Sequence, residues 1–177
     1  MAQPMYAAKE KCSALSQQVV YLIPALRAFS RTFTVNTTDG DDLVQETLFR
    51  ALRSIETFRP GTSLKSWLFT IMRNTYYTQY RRRVREQPGA ADCISLKLVA
   101  PATQEWSVAE TELKAALLRL TNEQRQIIVM VAGLGFSYEE AAGVIGCAVG
   151  TVKSRLNRAR EALARELDGN PLNENAI

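Results

Sequence analysis

The chain has 177 residues, with 22 Lys and Arg against 18 Asp and Glu for a net charge of +4, and 46% of its residues are apolar. That length and apolar share suit one ordinary domain or two small ones, and the charge leans toward a polyanionic partner. Histidine is absent and Cys12, Cys93 and Cys147 are widely spaced with no Cys-x-x-Cys pair, which argues against structural zinc, a disulfide framework and histidine-based catalysis.

In chain order, Val19, Leu22, Leu26, Phe29 and Phe33 recur at spacings of three and four, the signature of an amphipathic helix. Pro24 lies inside that pattern, so the helix is expected to start there or to kink. A turn-forming cluster at 36–40 precedes Asp41 and Asp42, acids expected at a helix start, where the macrodipole favours them. Leu43, Val44, Thr47, Leu48, Ala51, Leu52 and Ile55 carry that helix toward Phe58, and Pro60-Gly61 ends it. A third helix is expected from Ser63, with Leu64, Trp67, Leu68, Ile71 and Met72 facing the core.

Its continuation sets Asn74, Tyr76, Tyr77 and Tyr80 beside Arg73, Arg81, Arg82, Arg83 and Arg85. Such arginines cannot be buried without partners, and tyrosines interleaved with them suit an unpaired nucleic-acid strand, where stacking contributes ~1–3 kcal/mol per base. Residues 86–108 then lose periodicity and hold Pro88-Gly89 and Pro101, with Glu86, Asp92 and Glu105 against Lys97. This stretch reads as a domain boundary. A helix over 108–120 follows. Thr121 and Gln124 then form a capping box, with Ile127, Ile128 and Val131 as the next apolar face.

The stretch 135–165 carries the strongest signal. Ser137 and Glu140 make a second capping box that opens a short helix over 138–145, kept thin by Ala141 and Ala142. Gly146 sits where a tight turn needs positive φ. A second helix runs from Val149, burying Val152, Leu156, Ala159 and Leu163. This is a helix-turn-helix. Thr151, Ser154, Asn157 and Arg158 share the opposite side of the second helix, flanked by Lys153 and Arg155. Arg and Asn there can pair bidentately with purine edges in a major groove, each pair giving ~1–3 kcal/mol of discrimination.

Three separated motifs name a family. Asp41-Asp42-Leu43-Val44-Gln45-Glu46-Thr47-Leu48, then Trp67-Leu68-Phe69-Thr70-Ile71 with Asn74-Thr75, then Ser137-Tyr138-Glu139-Glu140-Ala141-Ala142 through Gly150-Thr151-Val152-Lys153-Ser154-Arg155-Leu156 resemble bacterial sigma factors of the sigma-70 family. Specifically they resemble the compact extracytoplasmic-function group, which keeps only the second and fourth sigma domains. The likeness spans residues 18–166. Phe58-Arg59-Pro60-Gly61-Thr62 with Gly146-Cys147-Ala148-Val149-Gly150-Thr151 also resembles the branch that runs the general stress response in alphaproteobacteria.

The resemblance implies an all-α protein of two small helical domains joined by a flexible linker: 1–87 for polymerase docking and −10 recognition, 88–108 as linker, 109–168 for −35 recognition, and a tail at 169–177. It implies that Asp41, Asp42, Leu43, Gln45, Glu46 and Phe49 dock the β′ coiled coil of core RNA polymerase, with the β flap as a further contact. Arg73, Asn74, Tyr77, Arg81, Arg82 and Arg83 would read the −10 element, Asn74 lining the pocket for a flipped base. Thr151, Lys153, Ser154, Arg155, Asn157 and Arg158 would read the −35 duplex.

An anti-sigma factor is implied as a partner, and the acidic linker could thread the RNA channel or act as a bare tether. With no apolar run of ~20 residues, no membrane insertion is expected and the cytoplasm is the expected location. No metal, no cofactor and no catalytic residue is expected. Two other readings stay open: an ordinary helix-turn-helix regulator, and a sigma-like decoy that binds an anti-sigma factor. A DNA-processing enzyme lacks the residues for its chemistry.

Overall fold

The computed structural model describes residues 3–34, 36–86 and 108–168, and every regular element among them is helical. They are α1 (Gln3–Ser30), α2 (Thr37–Arg53), α3 (Leu64–Glu86), α4 (Val108–Arg119), α5 (Asn122–Ile128), α6 (Tyr138–Ile145) and α7 (Val149–Asp168). A 3-10 turn, Ile55–Thr57, follows α2, and a π turn, Val129–Gly133, follows α5. The all-α class expected from the periodicity is the class observed. Residues 87–107 and 169–177, with the linker, its role in the RNA channel and Cys93, lie outside the described residues.

In the N-terminal half, α1, α2 and α3 pack around Leu26, Phe29, Leu68, Phe69 and Met72, all fully buried. Burying one such side chain contributes roughly 1.5–3 kcal/mol. Helix α1 runs through Pro24 instead of starting at it. Helix α2 begins a turn earlier than the acids suggested. Asn36 caps it, its side chain accepting from the Thr38 N–H at 3.0 Å, so Asp41 and Asp42 fall in the second turn and Asp39 occupies the first. Where α1 and α2 cross, Gly40 is buried, and a Cβ on it would stand 3.1 Å from the Ser30 hydroxyl. A side chain there would be tight, and the Ser30 hydroxyl would have to give by a few tenths of an ångström. Helix α2 stops at Arg53, short of Phe58; Phe58 instead packs on Trp67 with ring centroids 5.4 Å apart.

Both capping boxes of the C-terminal half are formed, Thr121 with Gln124 on α5 and Ser137 with Glu140 on α6. The π turn after α5 adds a residue to the helical turn, closed by the Leu134 N–H donating to the Val129 carbonyl at 2.8 Å. It shifts the phase of the buried face: Met130 is fully buried and Val131, the residue expected there, is half-buried. Gly146 adopts φ +75° at the C-terminus of α6, and α7 crosses α6 over Ala141 and Ala142 with Val152, Leu156 and Ala159 buried beneath it.

The two halves share one continuous apolar core. Phe69 of α3 meets Phe136, just before α6, with centroids 4.9 Å apart.

Candidate nucleic-acid and protein interfaces

Helix α7 sends its apolar stripe inward, which leaves the opposite side to solvent. Lys153, Ser154, Asn157 and Arg158 are exposed; Thr151 and Arg155 are half-buried. Two of these side chains are drawn to neighbouring helices. The Lys153 ammonium sits 5.6 Å from the Tyr138 ring centroid, and Arg155 Nη1 lies 3.6 Å from Glu123 Oε2. Thr151, Arg155 and Arg158 line one wall of an open groove, with Thr121, Glu123 and Gln124 of the α5 start on the other. Glu139, in the first turn of α6, has its carboxyl held below the usual range by a backbone N–H and the Ser137 hydroxyl, aided by Lys153. A cationic strip with hydroxyl and amide donors, presented on one straight helix, can enter a major groove and contact phosphates on either side.

The second basic region lies on α3. Arg81, Arg82 and Arg83 are exposed, with Arg82 Nε bonded to Glu86 Oε1 at 2.7 Å. Asn74 is exposed one turn and more before them. Tyr77 is half-buried with the Arg73 guanidinium 4.9 Å from its ring centroid, and Arg73 Nε is buried without a hydrogen-bond partner. Tyr76 joins Phe33, Tyr77 and Tyr80 in one aromatic cluster, 4.6 Å from Phe33 and 6.2 Å from Tyr80 in a stacked pair. Burial pushes the Tyr76 phenol above its ordinary pKa, and the neighbouring Tyr77 and Tyr80 add to the rise. The tyrosines thus anchor α3 to the core with one edge and leave the other beside the arginines.

Helix α2 carries the third face. Asp41, Asp42, Gln45 and Phe49 are exposed and Glu46 is half-buried, bonded to Arg50 Nε at 2.6 Å. Asp41 pairs with Arg27 of α1 at 3.3 Å. Phe49 and Leu52 are each 55% exposed, and large apolar side chains standing out among charges are the usual composition of a protein-docking surface. Leu43, grouped with this face from the sequence, is only 4% exposed and belongs to the core. Its motif position and its helical phase disagree, and burial of the apolar stripe decides.

Against known families, residues 19–86 match Sigma-70 region 2 and residues 110–163 match Sigma-70, region 4. The chain belongs to the sigma-70 family. Among curated relatives, the sigma factor EcfG of Rhodopseudomonas palustris, of the extracytoplasmic-function group, is 44% identical over 151 residues, covering 85% of this chain and 83% of that protein. The sigma factor CnrH of Cupriavidus metallidurans is 35% identical over 92% of this chain and 91% of its own length. Among solved structures, the sigma factor RpoE of Bartonella quintana, in complex with the anti-sigma factor NepR, superposes with a TM-score of 0.77 at 39% identity, covering 88% of this chain and 97% of that one.

As a sigma factor of the extracytoplasmic-function group, the protein binds core RNA polymerase and directs transcription from promoter DNA. Sigma factors are initiation factors, and no helix among the described residues is long and apolar enough to cross a membrane. Sequence reasoning missed three residues whose contacts only the fold sets, one at the groove beside α7 and two where the halves meet. Glu123 reaches Arg155 only because α5 and α7 pack together. Lys65 and Arg125 make contacts whose partners are 69 and 93 residues away. No local pattern marks any of them.

Proposed function

We propose that this sigma factor grips its promoter at two places while polymerase docks on a third. In this reading Asp42, Gln45, Glu46 and Phe49 of α2, with Asp41 beside them, meet the β′ coiled coil, and the C-terminal half contacts the β flap. Arg73, Asn74, Tyr77, Arg81, Arg82 and Arg83 engage the opening −10 strand. Thr151, Lys153, Ser154, Arg155, Asn157 and Arg158 read the −35 duplex. The two DNA contacts act as bivalent recognition, so neither needs high affinity alone.

One observation carries the reading: side chains outside the apolar stripes of α2, α3 and α7 form separate acidic-apolar, basic-aromatic and basic-polar faces. The protein supplies no chemistry of its own and leaves nucleotide addition to the polymerase. Its place is the cytoplasm, where the polymerase works. The likeness to EcfG and to a sigma factor solved with NepR supports membership of the general stress-response branch, with an anti-sigma factor as a further partner.

Run-off transcription with core polymerase on a randomised promoter library tests this. The expected result is enrichment of two elements at fixed spacing upstream of the start. Enrichment of one element alone, independent of polymerase, would identify an ordinary helix-turn-helix regulator instead.

A further inference from the structure

Helix α7 distributes its polar side chains unevenly around its exposed half. At about 3.6 residues per turn, Ser154, Asn157 and Arg158 fall near the middle of the side opposite the buried stripe, whereas Lys153 and Arg155 fall at its two borders. Each border faces a different neighbour. Lys153 turns toward α6, with its ammonium 5.6 Å from the Tyr138 ring centroid, and Arg155 turns toward α5, with Nη1 3.6 Å from Glu123 Oε2. Arg160 follows Lys153 by two turns, about 10 Å along the axis and within about 20° of the same line. It is exposed, and its side chain enters no ion pair among the described residues.

The two anchors differ in what they leave for DNA. A carboxylate neutralises the arginine it holds, so a phosphate arriving at the α5 border has to displace Glu123. An aromatic ring attracts an ammonium through its quadrupole and leaves the positive charge in place. The Lys153 ammonium has three N–H donors; resting over the ring engages it from one side and leaves its outward donors for an acceptor. Glu139 senses Lys153 at longer range, behind its own backbone N–H and the Ser137 hydroxyl, and the two form no ion pair. Holding a flexible four-carbon stem in place before DNA arrives also reduces the ordering that binding must supply.

We propose that Tyr138 is a positioning residue for −35 recognition: it holds Lys153 at the α6 border as a phosphate contact, and Arg160 continues that border as a second phosphate contact on the same strand. The inference rests on the −35 assignment above and divides it between two roles. The border cations set affinity and register whatever the sequence, while Ser154, Asn157 and Arg158 between the borders meet base edges. A helix that enters a major groove N-terminus first reads bases with its early residues. Arg160 stands about 16 Å along the axis from Val149, where such a helix has climbed back to the phosphates.

The test is fluorescence anisotropy of the full chain over a salt series. The duplexes carry the −35 element returned by the promoter selection, single-base variants of it, or a scrambled sequence. Lys153→Met and Arg160→Met are each expected to lower the salt slope by about one and to weaken every duplex alike. The ratio between selected and variant duplexes is expected to stay as in wild type. Tyr138→Leu is expected to lose about two- to fivefold in affinity, also without loss of discrimination, and Tyr138→Phe to bind as wild type. The double variant Tyr138→Leu, Lys153→Met is expected to match Lys153→Met alone, because the ring acts through the lysine.

Additive losses in the double variant, or a Tyr138→Phe protein as weak as Tyr138→Leu, would overturn the positioning role. Should Tyr138→Leu lower the melting temperature, the two methionine variants, both at exposed positions, still decide. An unchanged salt slope in Arg160→Met, or lost base discrimination in Lys153→Met, would overturn the phosphate border. Equal binding of selected and scrambled duplexes by the wild type would instead overturn the −35 assignment, and this inference with it.

Discussion

Arg155 Nη1 lies 3.6 Å from Glu123 Oε2, joining α7 to α5 at the mouth of the groove that Thr151 and Arg158 also line. As an exposed ion pair it adds little to stability, about 0–1 kcal/mol. For DNA it matters more, because a carboxylate beside a phosphate-facing arginine competes for it. Glu123→Gln is expected to tighten −35 duplex binding two- to fivefold and to raise the salt slope by about one counterion. Fluorescence anisotropy over a salt series measures both. An unchanged affinity and slope would remove Arg155 from the DNA contact.

Ser154 and Arg158 occupy the exposed side of α7 without contributing to its buried stripe. Arg158→Ala is expected to cost ~1–3 kcal/mol of −35 discrimination if its fork meets a guanine edge, and Ser154→Ala less. Neither is expected to shift the melting temperature by more than a degree or two. Start-site mapping on a −35 mutant series provides the readout, and unchanged promoter choice in both variants counts against the assignment.

Asp42 is exposed and follows Asp41, which is already paired with Arg27. Asp42→Arg places a like charge where a basic partner surface is expected, and like-charge juxtaposition costs several kcal/mol at an interface. Co-purification with core polymerase should fall below detection while binding to isolated −35 duplex persists. Wild-type recovery of core enzyme would refute the docking face.

Tyr76 gives a pH dependence with a definite sign. Its burial raises the folded pKa above the ordinary value of 10.0, so in the unfolded chain the phenol ionises first. The stabilisation is fully present below pH 10.0 and is lost as pH rises through the folded value. Thermal melts of wild type should fall along this alkaline limb, and Tyr76→Phe should flatten it; parallel limbs in both proteins would show that other groups govern it.

Much of this was readable from the chain because it was local. Capping boxes at Thr121 and Ser137 act within a few residues, and the stripe of Val152, Leu156 and Ala159 follows from helical period alone. The π turn broke that period after Ile128, since an inserted residue leaves no mark in an apolar run that is rich at every phase. Leu43 was misread for a related reason: a sequence motif groups neighbours in the chain, whereas a helix sends neighbours to different faces. The start of α2 hinged on whether Asn36 or the later acids capped it, a choice of one turn that propensity does not decide. Lys65, Glu123 and Arg125 are set entirely by tertiary packing.

The π turn at Val129–Gly133 has a consequence for how this segment can vary over time. Removing one residue from it would relax the turn to an ordinary helix and rotate everything downstream by about 100° relative to α5. Phe136 would leave Phe69, and the Leu134 carbonyl would leave Lys65, whose ammonium donates to it. Apart from Gly135, whose φ of +65° favours glycine, the stretch from Gly133 therefore tolerates exchange of its side chains far better than any change in its length, even though it has the composition of a loop. Insertions and deletions that a surface connection ordinarily accepts would here change which sides of the two halves face each other.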